Sequence, residues 1–378
     1  MMNLTFPEFD TDEIKNLQEC LNSKWVTQGP FTKKFEGLFA ARHQVKHALA
    51  CTSCTAALHL ATLALELKAD DEVIIPALTW VTSAHAAEYV GAKAIFADIE
   101  ADTFNLDPKA FEAAITPRTK AVIAVHLFGL SANMGEIMRI AKKHKVAVIE
   151  DAACATGTTY NGKPIGSIGD MGCFSFHPRK VVTTGEGGMV TTEDDALAAK
   201  VASLRNHGAT GPGPLGDPTR PYHMGTFNML GFNLRLSDIQ AAVGVAQMAK
   251  LDRLLAERQK LVGRYRELLA TVDEIALPAV PKGCGHTYQS FVLRVLKGGR
   301  DRRNGVMNHM QKAGIQTRPG THAVHRLGYY ANKYGLKPEM FPIAANAEDT
   351  TITLPLFPGM TEADLKAVTD ALKDGLRG

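Results

Sequence analysis

A chain of 378 residues that is 45% hydrophobic and 21% charged has material for one large core and a smaller second one. A formal charge of only +3, without a clustered run of Lys and Arg interleaved with aromatics, leaves no footprint for nucleic acid. The start, MMNLTFPEFDTDEIKN, lacks the basic and then apolar run of a signal peptide, and no stretch approaches the roughly 18 to 20 apolar residues of a membrane span, so the expectation is a cytoplasmic globular protein that handles small molecules.

Along the chain, HALAC (47–51) reads as a strand and TAALHLATLALEL as a helix. DEVIIP, AKAIFAD, KAVIAVHLFG and VAVIEDAA then read as strands, and WVTSAHAAEYV, DPKAFEAAI and MGEIMRIAKKHK as the helices between them. Short β-branched runs alternating with segments of 3.6 periodicity predict βαβ units around a mainly parallel sheet. Further strands are expected at DMGCFSF and GGMVTT, and the Gly and Pro content of 207–228 marks a loop that can move. A long helix from about Ser237 to Leu269 is expected to carry the chain out of the large domain. A smaller α+β unit follows, with strands YQSFVLRVL and TITLPL and helices RNGVMNHMQKAG and TEADLKAVTDALKDGL. The expected division is 1–255 and 256–378.

Six cysteines spread over such a chain read as reduced thiols, and Cys51 and Cys54 form a CxxC without the second pair a zinc site needs. A redox role for that pair stays open, although the flanking residues explain it better. The thirteen histidines show no ligand spacing, and no metal is expected.

In open α/β sheets ligands gather outside the carboxyl ends of strands, and VAVIED ends there in Asp151. A carboxylate at that point serves either as a helix N-cap or as the anion that keeps a pyridinium nitrogen protonated. Lys180, between an alternating apolar run and the GEGG turn, complements the second use: a desolvated amine of lowered pKa can form a Schiff base with an aldehyde and then move a proton. CTSCTAALHL leaves backbone N–H groups and the Thr55 hydroxyl for a phosphate, or simply caps its helix through Ser53 or Thr55. Trp80, just past DEVIIPALT, could stack on a flat ring or pack in the core.

Over essentially its whole length the chain resembles the DegT/DnrJ/EryC1/StrS aminotransferases, through CTSCTAAL, DEVIIPALTWVTSAHA, VIEDAA, FSFHPRKVVTTGEGGMVTT, GFNLRLSDIQAAVG and TRPGTHAVH. The resemblance implies a fold type I α/β enzyme using pyridoxal 5'-phosphate to aminate a nucleotide-linked keto-sugar from L-glutamate. The overall look is closest to perosamine-synthase-like members, which act on 4-keto-6-deoxy sugars. It implies that Lys180 carries the cofactor, that Asp151 partners the pyridine nitrogen and that Trp80 stacks on the ring. Cys54, Thr55 and Ser175 then hold the phosphate, and Asn233 reaches the phosphate of the neighbouring subunit in a homodimer with shared sites. His126, His177, Arg318 and His322 lie on segments that border the sugar pocket. Two residues depart from the pattern: Cys54 stands where many members have glycine, and Cys154 where many have Gln or Glu beside the cofactor hydroxyl. Relatives that replace the lysine by histidine act as sugar dehydratases, and Lys180 argues against that. An amino-acid aminotransferase of the same fold, or a non-catalytic regulator without turnover, remain the other readings.

Overall fold

The computed structural model describes residues 1–210, 219–220 and 222–378. Its centre is a seven-stranded sheet made of β1 (His47–Cys51), β2 (Glu72–Pro76), β3 (Lys93–Ala97), β4 (Thr119–Val125), β5 (Ala147–Asp151), β6 (Met171–Ser175) and β7 (Gly188–Thr192). The spatial order is β3-β2-β4-β5-β6-β7-β1, with β7 alone running antiparallel to its neighbours. The apolar runs are continuous because both faces are covered. Val73, Ile123 and Ile149 point into the core under the helix Cys54–Ala64, whereas Ile74, Val122 and Val148 point into the core on the other face. That parity fixes the next residues along β5: Asp151 shares the side of Ile149, and Glu150 shares the side of Val148.

Helix Asp238–Leu269 opens with a reciprocal capping box between Ser237 and Gln240, which accounts for its sharp start. Its Leu251 and Leu254 belong to the sheet's core, and Leu261, Val262 and Tyr265 to a further core. The expected division at 255 thus falls inside one continuous helix, between those two sets. The further core lies under an antiparallel sheet of Ile275–Ala276, Phe291–Val295 and Thr351–Leu354, covered by helices Gly299–Lys312 and Glu362–Arg377. The strand read at YQSFVLRVL is shorter than expected.

Five helices among the described residues were not anticipated: Thr11–Ser23, Pro30–His43, Asp195–Leu204, Gly328–Tyr334 and Pro342–Thr350. The first carries a legible signal, a capping box in which Asp10 and Glu13 bond each other's backbone N–H. Residues before it dock on the C-terminal core: Met2 N–H donates to the Gly314 carbonyl, and Leu356 N–H to that of Leu4. The loop expected over 207–228 lies partly outside the described residues; its flanks pair as Ala209–Thr210 with Thr226–Phe227. No helix among the described residues is long and apolar enough to cross a membrane.

Candidate active site

Beyond the carboxyl ends of β4, β5 and β6 a cavity of about 470 Å³ opens, within the range of small-molecule sites. Cys54, Thr55, Trp80, Asp151, Ser175 and Lys180 all line it.

Asp151 is 5% exposed, and no helix starts behind it, so the N-cap reading falls. Its carboxylate accepts from the Ser83 hydroxyl (2.7 Å) and the Ala153 N–H (3.2 Å). Ser83 is fully buried and also pairs with the Thr79 hydroxyl at 2.9 Å, so a short hydroxyl relay orients the acid. Sequence reading passed over Ser83; its only signal was its place in the TWVTSAHA stretch. Glu150, on the opposite face, accepts the Gly166, Ile168 and Gly169 N–H groups. Burial alone would raise its carboxyl, but His126 and these backbone donors hold it below the usual range.

His126 was expected on a segment that borders the sugar pocket, and it does line the cavity, but its ring nitrogens are engaged within the protein. The ring is fully buried, with Nδ1 accepting the Ala132 N–H (3.1 Å) and Nε2 against Glu150 (3.1 Å). Since Nδ1 accepts, a neutral ring donates from Nε2, and no ring nitrogen is left for a substrate.

Lys180 Nζ lies 3.2 Å from Cys154 Sγ. Burial disfavours its charged form, but the hydrogen-bonded Cys154 and the Asp151 carboxylate outweigh that and hold the amine above the ordinary lysine range. The expected lowering is therefore reversed: in the chain alone the amine is kept charged, and it must lose its proton before it can act as a nucleophile. Burial also pushes up the thiols of Cys51, to about 12, and of Cys54 and Cys173, well above the usual value. All six cysteines are free, and such thiols stay neutral, which removes the redox reading of the CxxC pair. Among the described residues no three His, Cys, Asp or Glu side chains gather as a metal site.

The helix Cys54–Ala64 resolves its two readings by dividing them. Ser53 caps it, accepting the Ala56 N–H at 3.1 Å. The N–H groups of Cys54 and Thr55 and the Thr55 hydroxyl find no partner among the described residues and sit at the positive end of the helix, which suits a phosphate. Gly188 allows β7 to pass there, because a Cβ on it would lie 2.4 Å from the Ser53 carbonyl carbon. Trp80 is 52% exposed, so it is not a core residue, and its ring faces His322 at 5.6 Å between centroids. An anion-binding helix end, a fixed carboxylate, an amine and an open aromatic face fit pyridoxal 5'-phosphate.

His177 and Arg318 border the cavity as expected. His177 Nδ1 accepts the Arg179 N–H (3.2 Å), and burial first of all lowers its pKa against the pull of Glu186. His322 stays outside at the rim, half exposed, 3.7 Å from Glu348. Asn233 is exposed and absent from this chain's cavity. The cavity also takes in Leu4, Thr5, Arg179 and Gln289, none of them anticipated, and the Thr5 hydroxyl is buried without a partner.

A model of the DegT/DnrJ/EryC1/StrS aminotransferase family matches residues 7–373. The GDP-perosamine synthase of Caulobacter vibrioides is 40% identical, over 98% of this chain and 97% of that protein. The spore coat polysaccharide biosynthesis protein SpsC of Bacillus subtilis is 38% identical, over 99% of this chain and 97% of its own length. Among solved structures, the PMP form of Spr1654 from Streptococcus pneumoniae superposes with a TM-score of 0.94 at 28% identity, covering 100% of this chain and 99% of that one. Its PLP form gives 0.93.

Proposed function

Because the chain belongs to the DegT/DnrJ/EryC1/StrS aminotransferase family, it is a pyridoxal-phosphate-dependent aminotransferase, and we propose that it converts a nucleotide-linked keto-sugar to the amino sugar with L-glutamate as donor. The observation that carries the reading is the meeting of Lys180 and Asp151 in one cavity with an unpaired helix N-terminus. The cofactor, when bound, supplies the aldehyde and the electron sink that transamination requires. The protein's own groups do the rest. Thr55, Ser175 and the Cys54 and Thr55 N–H groups hold the phosphate, Trp80 covers the ring, and Asp151, held by Ser83, keeps the ring nitrogen protonated. Lys180 would hold the cofactor at its aldehyde carbon, and its Nζ is placed to carry a proton.

The likeness to a GDP-perosamine synthase supports a nucleotide-linked acceptor, and we take a 4-keto-6-deoxy sugar as the acceptor class. A lysine rather than a histidine at 180 favours amination over dehydration. The test is a mass-spectrometric screen of nucleotide keto-sugars with L-glutamate. A product in which a carbonyl has become an amine, with equimolar 2-oxoglutarate, is expected; deoxy product or no product with any sugar overturns the reading.

A homodimer with shared sites accompanies this proposal. Asn233 is exposed and does not line its own cavity, and Phe227, Met229 and Leu230 on the same segment leave apolar side chains exposed. In the dimer Asn233 completes the partner's phosphate site. Mixing Lys180→Ala with Asn233→Ala protein then creates heterodimers with one intact site. Random exchange makes about half the dimers mixed, each with one good site of two, so roughly a quarter of wild-type activity should return above the residual rate of Asn233→Ala. Verified exchange without recovery means that Asn233 acts in its own chain or not at all.

A further inference from the structure

The family reading leaves Arg179 without a task. It precedes Lys180, it is exposed at the cavity, and its backbone is held in place by Gln289, whose Nε2 donates to the Arg179 carbonyl at 2.7 Å. Arg318 comes to the same cavity from the C-terminal part of the chain, where it pairs with Thr353, and its Nε donates to the Pro319 carbonyl at 3.1 Å. Among the described residues neither guanidinium has a carboxylate within ion-pair distance, although most arginines of this chain do. Burial, and then the charge of Arg179, lower the pKa of Arg318, so the two cations repel each other across the cavity. Arg318 nonetheless stays charged at physiological pH.

Two unpaired guanidiniums converging on one cavity are an anion site, because planar donor forks match carboxylates and phosphates and the mutual repulsion is relieved when an anion enters. Their place relative to Lys180 decides which anion. Arg318 lines the same cavity as Lys180 and is the half-buried one of the two arginines, so it is the one set deeper in the cavity that holds the reacting amine, where the α-carboxylate of an amino acid, two bonds from its nitrogen, must lie. Arg179, exposed at the same cavity, is left for a second, distal acid group.

We propose that Arg318 and Arg179 form a clamp for a dicarboxylic amino donor, with Arg318 on the α-carboxylate and Arg179 on the side-chain carboxylate. This rests on the aminotransferase reading and gives the preference for L-glutamate a structural cause: L-glutamine and L-alanine leave Arg179 unneutralised. The two arginines act on the donor and not on the nucleotide diphosphate of the acceptor.

The test uses the holoenzyme and separates the two half-reactions in single-turnover absorbance measurements, with calorimetric binding of glutarate, an unreactive dicarboxylate, as an independent readout. Arg179→Gln should lower the donor half-reaction with L-glutamate ten- to a hundredfold, that with L-glutamine less than about threefold, and glutarate affinity about tenfold or more. Arg318→Gln should depress both donors. The acceptor half-reaction, run from the aminated cofactor form and a keto-sugar, should be unchanged in Arg179→Gln. Equal losses with L-glutamate and L-glutamine, or a loss confined to the acceptor half, overturn the clamp. A wild-type protein that accepts no amino donor yet binds glutarate through Arg179 would instead fault the aminotransferase reading, which keeps the two failures distinct.

Discussion

Lys180→Ala protein is expected to fold normally and to turn over at least about ten-thousandfold more slowly than wild type, the upper range for removing a group that works as both nucleophile and proton carrier. Among the described cavity-lining residues Lys180 is the one lysine, so no neighbouring amine can take over its role. The fold should survive because the side chain's one hydrogen bond runs to Cys154, and truncation removes a buried charge instead of leaving one behind. Borohydride treatment of wild type should fix the cofactor onto the peptide carrying Lys180, and the variant should show no labelled peptide while still binding cofactor. Added methylamine should restore a small part of the rate. Labelling at any other lysine, or a rate in the variant above about one hundredth of wild type, would mean that another group performs these steps.

Asp151→Asn should give a folded protein with activity reduced about 100- to 1,000-fold, the scale of losing a preorganised charge beside the reacting system. The amide keeps the shape of the carboxylate: its oxygen can still accept the Ala153 N–H while its NH2 donates to the Ser83 hydroxyl, so circular dichroism and thermal unfolding should change little. Ser83→Ala leaves the charge but frees its orientation, and a loss of roughly tenfold is expected, in line with one hydrogen bond to a charged acceptor. The order of the two variants carries the argument. Near-normal turnover in Asp151→Asn would show that the charge is not used, and a larger loss in Ser83→Ala than in Asp151→Asn would make the hydroxyl, and not the carboxylate, the acting group.

Much of the sheet was legible because its strands are covered on both faces: VIIP, AVIAV and AVIED are continuous apolar runs whose length and β-branched content distinguish them from helices. Lys180 and Asp151 were legible because a buried amine and a buried acid at strand ends are costly unless used, and their residue types name the chemistry. The histidines were not. His126 and His177 look alike in sequence and both border the cavity, yet both ring nitrogens of the first are taken by Glu150 and Ala132, whereas only Nδ1 of the second is shown engaged, by the Arg179 N–H. Ser83 was hidden in an ordinary helix start, and Arg179 looked like a solvated charge on a turn. Thr5 gave no signal, since its place in the site depends on contacts between Leu4 and residues more than 300 positions away.

The sequence by itself therefore determined the strand and helix periods, the helix caps and the reactive residue types, because each depends on a side chain and its immediate neighbours. The tertiary structure alone decided the partners. Ser83 reaches Asp151 across 68 positions, and the pairing of Leu78–Thr79 with His322–Ala323 brings the segment after Arg318 beside Trp80. The direction of the Lys180 shift was decided there too: burial acts against the hydrogen bond to Cys154 and the charge of Asp151, and which of them wins depends on distances that only the folded chain sets.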